Sequence, residues 1–268
     1  MRIKKYIMIL IIISICIGII YYPIQIDKKN IQQYIPENKI LEKIVENVTK
    51  EKTRELYINI IENTNFLDTE KIELSDIGLE YDLSYLSEME NLKELWIFRS
   101  EINDLSFLKD LNKLESIHIE YTWNSDLKYI EKLENLEYLH IVGGPIQNFD
   151  SLENLVHMKE LYLDTDEFRR SERTVTDISV LSNLKELESL VLGHMNINDV
   201  TPLSELKALR FILLADTGIT DIMPLAQISS LKFLYIFGNR SEEVERQAQQ
   251  YFSEIDTVLI LEEVPVAY

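Results

Sequence analysis

The residues best suited to metal binding or acid–base chemistry are His118 and His140, which lie 22 positions apart, and Glu120, which follows His118 closely. Two imidazoles and a carboxylate can hold a zinc ion or transfer a proton. When they face out of an open sheet, however, they lack the enclosing pocket and supporting hydrogen bonds that such sites need. We therefore predict no metal ligand and no catalytic residue. Zinc binding that is abolished by His140→Ala would reverse this prediction.

No other motif in the sequence indicates catalysis or a bound cofactor. A G-x-S-x-G nucleophile motif is absent, and the one cysteine, Cys16, lies in an apolar N-terminal run. The pair Gly143-Gly144 is not part of a G-x-x-x-x-G-K or G-x-G-x-x-G phosphate-binding sequence. The sequence therefore predicts a protein that is not an enzyme, has no cofactor and takes no small-molecule substrate.

The charge balance restricts the kinds of partner. Acidic residues outnumber basic ones by 46 to 27, which gives a formal net charge of −19 at pH 7. Such a surface repels phosphate backbones, so we expect no nucleic-acid binding. A basic protein or a cation would be a more favourable neighbour. With a single cysteine the chain forms no intramolecular disulfide, so its stability must come from packing.

An apolar repeat organises most of the chain. Its clearest copy, LRFILLADTGITDIMPLAQISSL, extends from Leu209 to Leu231. Further apolar columns lie three and five residues after the residue that opens each copy. A fixed period of this length is the signature of a solenoid in which each copy packs on its neighbours. The opening residues recur every 22 positions apart from one interval of 29, and they are Leu92, Leu114, Leu136, Met158, Leu187, Leu209 and Leu231.

This pattern resembles the leucine-rich repeat family, in the short 22-residue form of internalins, over about 72–239. The resemblance implies an α/β solenoid, a leucine-rich repeat arc with a concave parallel β-sheet built from one short strand per copy. At its ends we predict a helical N-terminal cap and a helix-strand C-terminal cap. The resemblance implies a function only in general terms, because one fold serves many functions. Adhesion or host-protein binding is one possibility.

The N-terminal residues predict a membrane segment. Three basic residues precede an uncharged, isoleucine-rich run from Ile7 to Tyr22, and no small-residue cleavage site follows. We predict that residues 1–26 are an uncleaved signal anchor in the cell membrane, entering it through residues 6–26, with the body outside. Secretion after signal cleavage is the alternative. Lipidation of Cys16 is not favoured, because Ile15 precedes it. The abundance of Ile, Lys, Asn and Glu is typical of a low-GC Gram-positive bacterium.

The remaining boundaries follow from helix breakers and periodicity. Residues 27–36 predict a stalk, 37–71 the helical N-terminal cap, 72–240 the leucine-rich repeats and 241–268 the C-terminal cap. Ser241 is the predicted N-cap of a helix in the last segment. Ile255, Val258 and Ile260 then repeat the apolar spacing of the copies once more, which predicts a closing strand. The predicted buried face of this helix comprises Val244, Ala248, Tyr251 and Phe252.

A column of aspartates recurs where each copy turns toward the convex side. We expect these side chains to accept backbone N–H groups, as in Asx turns and helix caps. Calcium binding is the alternative role. The column comprises Asp82, Asp104, Asp126, Asn148, Asp177, Asp199 and Asp221.

The predicted strands place alternate side chains on the concave face, and many of these are aromatic. Aromatic side chains dominate binding hot spots, and the apolar area exceeds what a soluble monomer normally exposes. We predict a protein- or peptide-binding face, with the alternative that flanking side chains or the caps cover the rings. The predicted strand residues of this face are Trp96, Phe98, His118, Glu120, Tyr138, His140, Tyr162, Asp164, Phe211, Leu213, Phe233, Tyr235 and Phe237.

The interval of 29 residues places an insertion at 164–173, after the strand of the fourth full copy. It contains an arginine cluster, Arg169, Arg170 and Arg173, beside Phe168. Long loops on rigid scaffolds often carry function, so we add Arg169 and Arg170 to the predicted binding residues. The alternative is a tolerated insertion whose arginines pair with nearby acidic residues.

Two functions are consistent with these features. The first is a membrane-anchored, extracytoplasmic protein that recognises a protein or peptide through its concave face. The second is a structural or regulatory subunit of the cell envelope that assembles through its convex or acidic surface. If partner binding survives removal of the concave aromatic rings, recognition through the concave face is excluded.

Overall fold

The computed structural model describes residues 67–78, 81–102, 104–120, 127–165, 175–238, 241–253 and 255–261. Within these ranges the chain alternates short strands with 3-10 helices, and an α-helix, α1 (Glu242–Tyr251), precedes the last strand. The strands are β1 (Lys71–Ser75), β2 (Glu94–Phe98), β3 (Ser116–Glu120), β4 (Tyr138–Val142), β5 (Glu160–Asp164), β6 (Ser189–Gly193), β7 (Phe211–Ala215), β8 (Phe233–Phe237) and β9 (Thr257–Leu261).

The described strands form one parallel sheet in which each strand lies beside its neighbours in sequence. The register aligns equivalent positions of successive copies, so that Leu190 lies beside Ile212 and Ile212 beside Leu234. Across the long interval, Leu161 still aligns with Leu190, so the extra residues leave the register unchanged. These features confirm the predicted leucine-rich repeat solenoid with a parallel sheet.

Short 3-10 helices form the convex side. The residues of the aspartate column lie just before these helices and accept hydrogen bonds from their first turns. The Oδ1 of Asp199 accepts the N–H of Thr201 at 2.8 Å, and hydrogen bonds from the Thr201 side chain and from this N–H lower the pKa of Asp199. The predicted Asx turns are confirmed by the same bond at Asp82, Asp104, Asn148, Asp177 and Asp221, while Asp126 lies outside the described residues. The helices are Ser84–Glu88, Ser106–Asp110, Leu127–Ile130, Asp150–Leu152, Ser179–Asn183, Thr201–Glu205 and Met223–Gln227.

A continuous ladder of leucine and isoleucine side chains fills the space between the sheet and the convex helices. Ile212 and Leu214 of β7 are fully buried, as are Leu203 and Leu206 from the preceding convex turn. Burying one such side chain contributes about 1.5–3 kcal/mol. Because each copy packs on the next, this ladder supplies the packing that a chain with one cysteine requires.

The residue after several strands adopts a left-handed backbone, which turns the chain away from the sheet. Gly143 (φ +94°) and Gly238 (φ +69°) occupy this position without a Cβ to oppose the turn. Arg99 (φ +46°) and Asp76 (φ +59°) adopt it with side chains. Their guanidinium and carboxylate groups form a bidentate pair at 2.8 and 3.0 Å, which offsets part of the strain.

Helix α1 caps the C-terminal end of the ladder. The Ser241 Oγ accepts the N–H of Val244 at 3.1 Å, which confirms the predicted N-cap. Val244, Ala248 and Phe252 are buried as predicted. Tyr251 is 40% exposed, so its predicted burial is wrong. The apolar stripe consists of every fourth residue, namely Val244, Ala248 and Phe252. Tyr251 lies at the margin of this stripe.

Gln247, rather than Tyr251, lies on the buried side of α1. Its Oε1 accepts the N–H of Ile222 at 2.7 Å, and its Nε2 donates to Glu243 at 2.7 Å. The side chain therefore satisfies a buried backbone donor of the last convex turn. This contact couples α1 to the leucine-rich repeats.

Several predicted segments lie outside the described residues. They are the signal anchor at 1–26, the stalk at 27–36, nearly all of the N-terminal cap at 37–71, and 166–174 with Arg169 and Arg170. In the part of the chain that the structure describes, no helix combines the length and apolar character needed to cross a membrane.

Candidate functional site

The concave face carries three rows of side chains, because residues along each strand alternate between the core and the surface. The central row is Trp96, His118, His140, Tyr162, Val191, Leu213 and Tyr235. A second row is Glu94, Ser116, Tyr138, Glu160, Ser189, Phe211 and Phe233. The third row begins with Phe98 at the end of β2 and continues with Glu120, Val142, Asp164, Gly193, Ala215 and Phe237.

Four rings of the central row stack across β2 to β5. The ring centroids of Trp96 and His118 are 5.5 Å apart, those of His118 and His140 3.9 Å, and those of His140 and Tyr162 4.0 Å. The planes of the last pair are nearly parallel, at 2°. Because parallel strands repeat every 4.7–4.9 Å or so, equal rotamers in register bring the rings into contact. The stack presents a continuous aromatic ridge along the face.

Trp96 forms the N-terminal end of this stack. The Lys71 Nζ lies 4.1 Å from its ring centroid, and the Phe98 ring packs edge-on at 5.8 Å. The indole Nε1 is buried and has no hydrogen-bond partner among the described residues. A buried N–H without an acceptor costs about 1–3 kcal/mol. An acceptor supplied by a bound partner would therefore be stabilised at this position.

The structure brings His118, Glu120 and His140 together. Glu120 is only 6% exposed, and its Oε1 lies 2.9 Å from the His118 Nε2. The potential metal-ligand atoms of the three residues all lie within 4.8 Å of one another. The strand register causes this proximity, because it places His140 directly beside His118.

His140 is a neutral imidazole under physiological conditions. Desolvation by burial, with the neighbouring His118 as a second cause, lowers its pKa from 6.5 to about 2. Its Nε2 is buried and forms no hydrogen bond with the described residues. Because this nitrogen is buried, a ligand can reach it only after the ring turns.

In the C-terminal half of the face the side chains bury one another. Tyr235 is only 5% exposed, and burial raises its pKa. The expected exposure is therefore wrong for Leu213, Tyr235 and Phe237, because large side chains in adjacent rows cover each other's sides. Together with Val191 and Ala215 these residues form a cluster separate from the main core, against which Tyr162, Phe211 and Phe233 pack.

The accessible aromatic surface lies further toward the N-terminus. Tyr138 is 40% exposed and lies between Ser116 and Glu160 in its row. Desolvation, together with the charge of Glu188, raises the pKa of Glu160. An exposed aromatic ring beside a carboxylate suits contact with a polar or basic partner.

The sequence analysis missed His194, at the edge of the concave face. Its Nδ1 lies 2.6 Å from the Asp164 Oδ1. Gly193 permits this contact, because a Cβ there would lie 2.4 Å from the Asp164 carboxyl group. A histidine directly after a strand was visible in the sequence. Its left-handed backbone (φ +57°) and its partner across the sheet were not.

Internalins from Listeria monocytogenes are among the solved structures with a similar architecture. Internalin C2 matches with a TM-score of 0.56 and 26% identity, over 70% of this chain and 76% of that chain. Internalin F matches with a TM-score of 0.51 and 23% identity, over 86% of this chain and 70% of that chain. The chain has a leucine-rich repeat fold. No protein-family model and no curated protein matches this leucine-rich repeat sequence.

Proposed function

We propose that this leucine-rich repeat protein recognises a protein or peptide through the β2–β5 half of its concave face. The observation that carries the proposal is Trp96, whose ring belongs to the stack and whose buried Nε1 has no acceptor among the described residues. A carbonyl or carboxylate oxygen of a partner would satisfy this donor once the indole turns its Nε1 toward the surface. The exposed ring of Tyr138 adds the kind of aromatic contact that dominates binding hot spots.

Charge favours a basic partner. Glu160 lies on this half of the face, with Asp164 at its edge, whereas Glu94 pairs with Lys71 at 3.2 Å; the whole chain carries a formal charge of −19. Complementary charge accelerates association and suppresses unsuitable partners. We therefore expect the partner segment to carry lysine or arginine beside a group that reaches the Trp96 Nε1.

Photo-crosslinking in the full-length chain tests the proposal. A photoreactive phenylalanine analogue replaces Tyr138 in one variant and Met223 in the control, because Met223 is equally exposed but begins a convex helix. We expect a specific adduct from position 138 only. Trp96→Phe, which keeps a ring and removes the N–H, should reduce its yield several-fold. An adduct from position 223 alone would contradict the proposal and favour assembly through the convex surface.

We also propose that residues 6–26 anchor the chain in the cell membrane with the body outside. The uncharged run Ile7–Tyr22 behind three basic residues supports this. Protease added to intact cells should digest the body, and the full-length chain should fractionate with membranes. Recovery of the protein in the growth medium would favour secretion after signal cleavage. Recovery in the soluble cytoplasm would contradict both the membrane anchor and secretion.

A further inference from the structure

The concave face contains metal-ligand atoms of a composition suited to a transition metal. His118 and His140 contribute imidazole nitrogens, and Glu120 contributes a carboxylate, all within 4.8 Å of one another. Calcium and magnesium prefer oxygen ligands, whereas two imidazoles with one carboxylate form a typical set for zinc. The donor set therefore selects zinc over the alkaline-earth cations.

The surroundings of these atoms favour a bound cation. Glu120 is buried and its side chain is 8% exposed, while the side chain of His118 is 17% exposed. The His140 Nε2 is buried without a hydrogen-bond partner among the described residues. Native proteins rarely leave such an atom unsatisfied, and an ion is one of the usual reasons when they do. The negative charge of Glu120 would compensate a cation in this partly desolvated position.

We propose that the His118 Nε2, the Glu120 carboxylate and the His140 Nε2 bind one Zn²⁺ ion, with the fourth position open toward the concave surface. Three protein ligands and one exchangeable ligand are typical of zinc sites that interact with other molecules. The fourth ligand is water in the isolated protein, and a side chain of a partner can replace it.

Binding requires a local rearrangement of the stack. The His118 and His140 rings are inclined by only 20°, so their in-plane lone pairs run side by side rather than toward one point. Both imidazoles must turn about χ2 until each nitrogen lies about 2.0–2.1 Å from the zinc ion. Zn²⁺ then takes the place of the hydrogen between the His118 Nε2 and Glu120, and that proton moves to the His118 Nδ1, so that the imidazole binds as a neutral ligand.

Zinc titration of the full-length protein against a chromophoric chelator tests the proposal. We expect one ion per chain. We expect His140→Phe to weaken zinc binding by more than about 100-fold, because removing a metal ligand should cost more than the 10–100-fold that is typical for removing a hydrogen-bond partner of a ligand. Phenylalanine retains a ring in the stack, so the variant should keep its circular dichroism spectrum. Glu120→Gln should weaken binding by at least about 10-fold. Co²⁺ should give the intense visible bands of a four-coordinate site.

His157→Phe is the matched control. His157 also pairs with a glutamate, Glu186 at 3.2 Å, but this pair is exposed and offers one imidazole. Its loss should leave zinc affinity unchanged. Equal affinity in wild type and His140→Phe would overturn the proposal, as would several weakly bound ions per chain, which would indicate the surface carboxylates. Weak octahedral Co²⁺ bands in the wild type would overturn it even if a variant failed to fold.

The zinc site and the proposed function can fail separately. The zinc titration is performed without a partner and therefore tests the metal site alone. Crosslinking from position 138 can be performed with chelator present and then tests partner recognition alone. Loss of the adduct in chelator would show that the metal also serves recognition.

Discussion

Replacing His140 with phenylalanine tests whether the buried imidazole stays neutral in the folded protein. Desolvation, together with the nearby His118, lowers its folded-state pKa from 6.5 to about 2. In the unfolded chain the pKa returns to its ordinary value near 6.5. At pH 5 the unfolded state therefore binds a proton that the folded state does not, and stability falls as the pH falls through 6.5.

The size of this effect follows from the separation of the two pKa values. Each pH unit between them corresponds to about 1.4 kcal/mol. Between about pH 7.5 and pH 5.0, the wild-type free energy of unfolding should fall by about 2 kcal/mol because of His140. His140→Phe keeps a ring between His118 and Tyr162 and binds no proton, so it should lack this loss. The many other titrating groups are common to both proteins and cancel in the comparison.

Urea unfolding followed by circular dichroism measures the difference. Both proteins are unfolded at the two pH values with chelator present, so that a bound metal does not contribute. If the two proteins lose the same stability on acidification, to within about 0.5 kcal/mol, His140 is not held neutral by burial and the reasoning is refuted. A larger loss in the variant would refute it as well, because that sign requires a raised pKa.

Three further predictions concern stability and use the same assay. Asp199→Ala removes the acceptor of the Thr201 N–H and should destabilise the protein by about 1 kcal/mol, whereas Asp199→Asn should restore most of this. Leu203→Ala should cost about 2–5 kcal/mol because Leu203 is fully buried, while Met223→Ala on the exposed convex side should stay within about 0.5 kcal/mol of wild type. Gln247→Leu leaves the buried Ile222 N–H without its acceptor and should cost about 1–3 kcal/mol, and a neutral result would show that water replaces the amide.

The two halves of the concave face differ in a way that bears on function. Around Tyr235 the surface side chains bury one another and add a second apolar cluster to the fold. Around His140 the rings stack, and two buried ring nitrogens, Trp96 Nε1 and His140 Nε2, are left without partners among the described residues. Buried polar atoms without partners destabilise the isolated protein, so the β2–β5 half is the better candidate for ligand contact.

Much of the fold could be predicted from local pattern. The 22-residue period determines which residues lie inside, and it places Leu190, Ile212 and Leu234 in one buried column. The aspartate column predicted the Asx turns correctly because that hydrogen bond spans only two residues, as from Asp199 to Thr201. Interactions of this range are encoded in adjacent sequence.

The errors arose where contacts depend on distant residues. Tyr251 satisfies the helical periodicity but lies at the margin of the interface of α1, and Gln247 is buried because Ile222 offers it a backbone donor. Tyr235 is on the concave face as predicted, yet its neighbours on adjacent strands cover it. Exposure is a property of the assembled neighbours, which a periodic pattern does not contain.

The sequence by itself determined the repeat, the inward and outward faces of each strand, and the strand register that sets His118 beside His140. These follow from strand alternation and a constant period. Only the tertiary structure decided that four rings stack, that Glu120 is buried against His118, and that the His140 Nε2 lacks a partner among the described residues. The physical reason is that rotamers and desolvation are set jointly by side chains on neighbouring strands, such as His118 and His140, which lie 22 residues apart. The chemistry of the face therefore emerges only when the strands lie side by side.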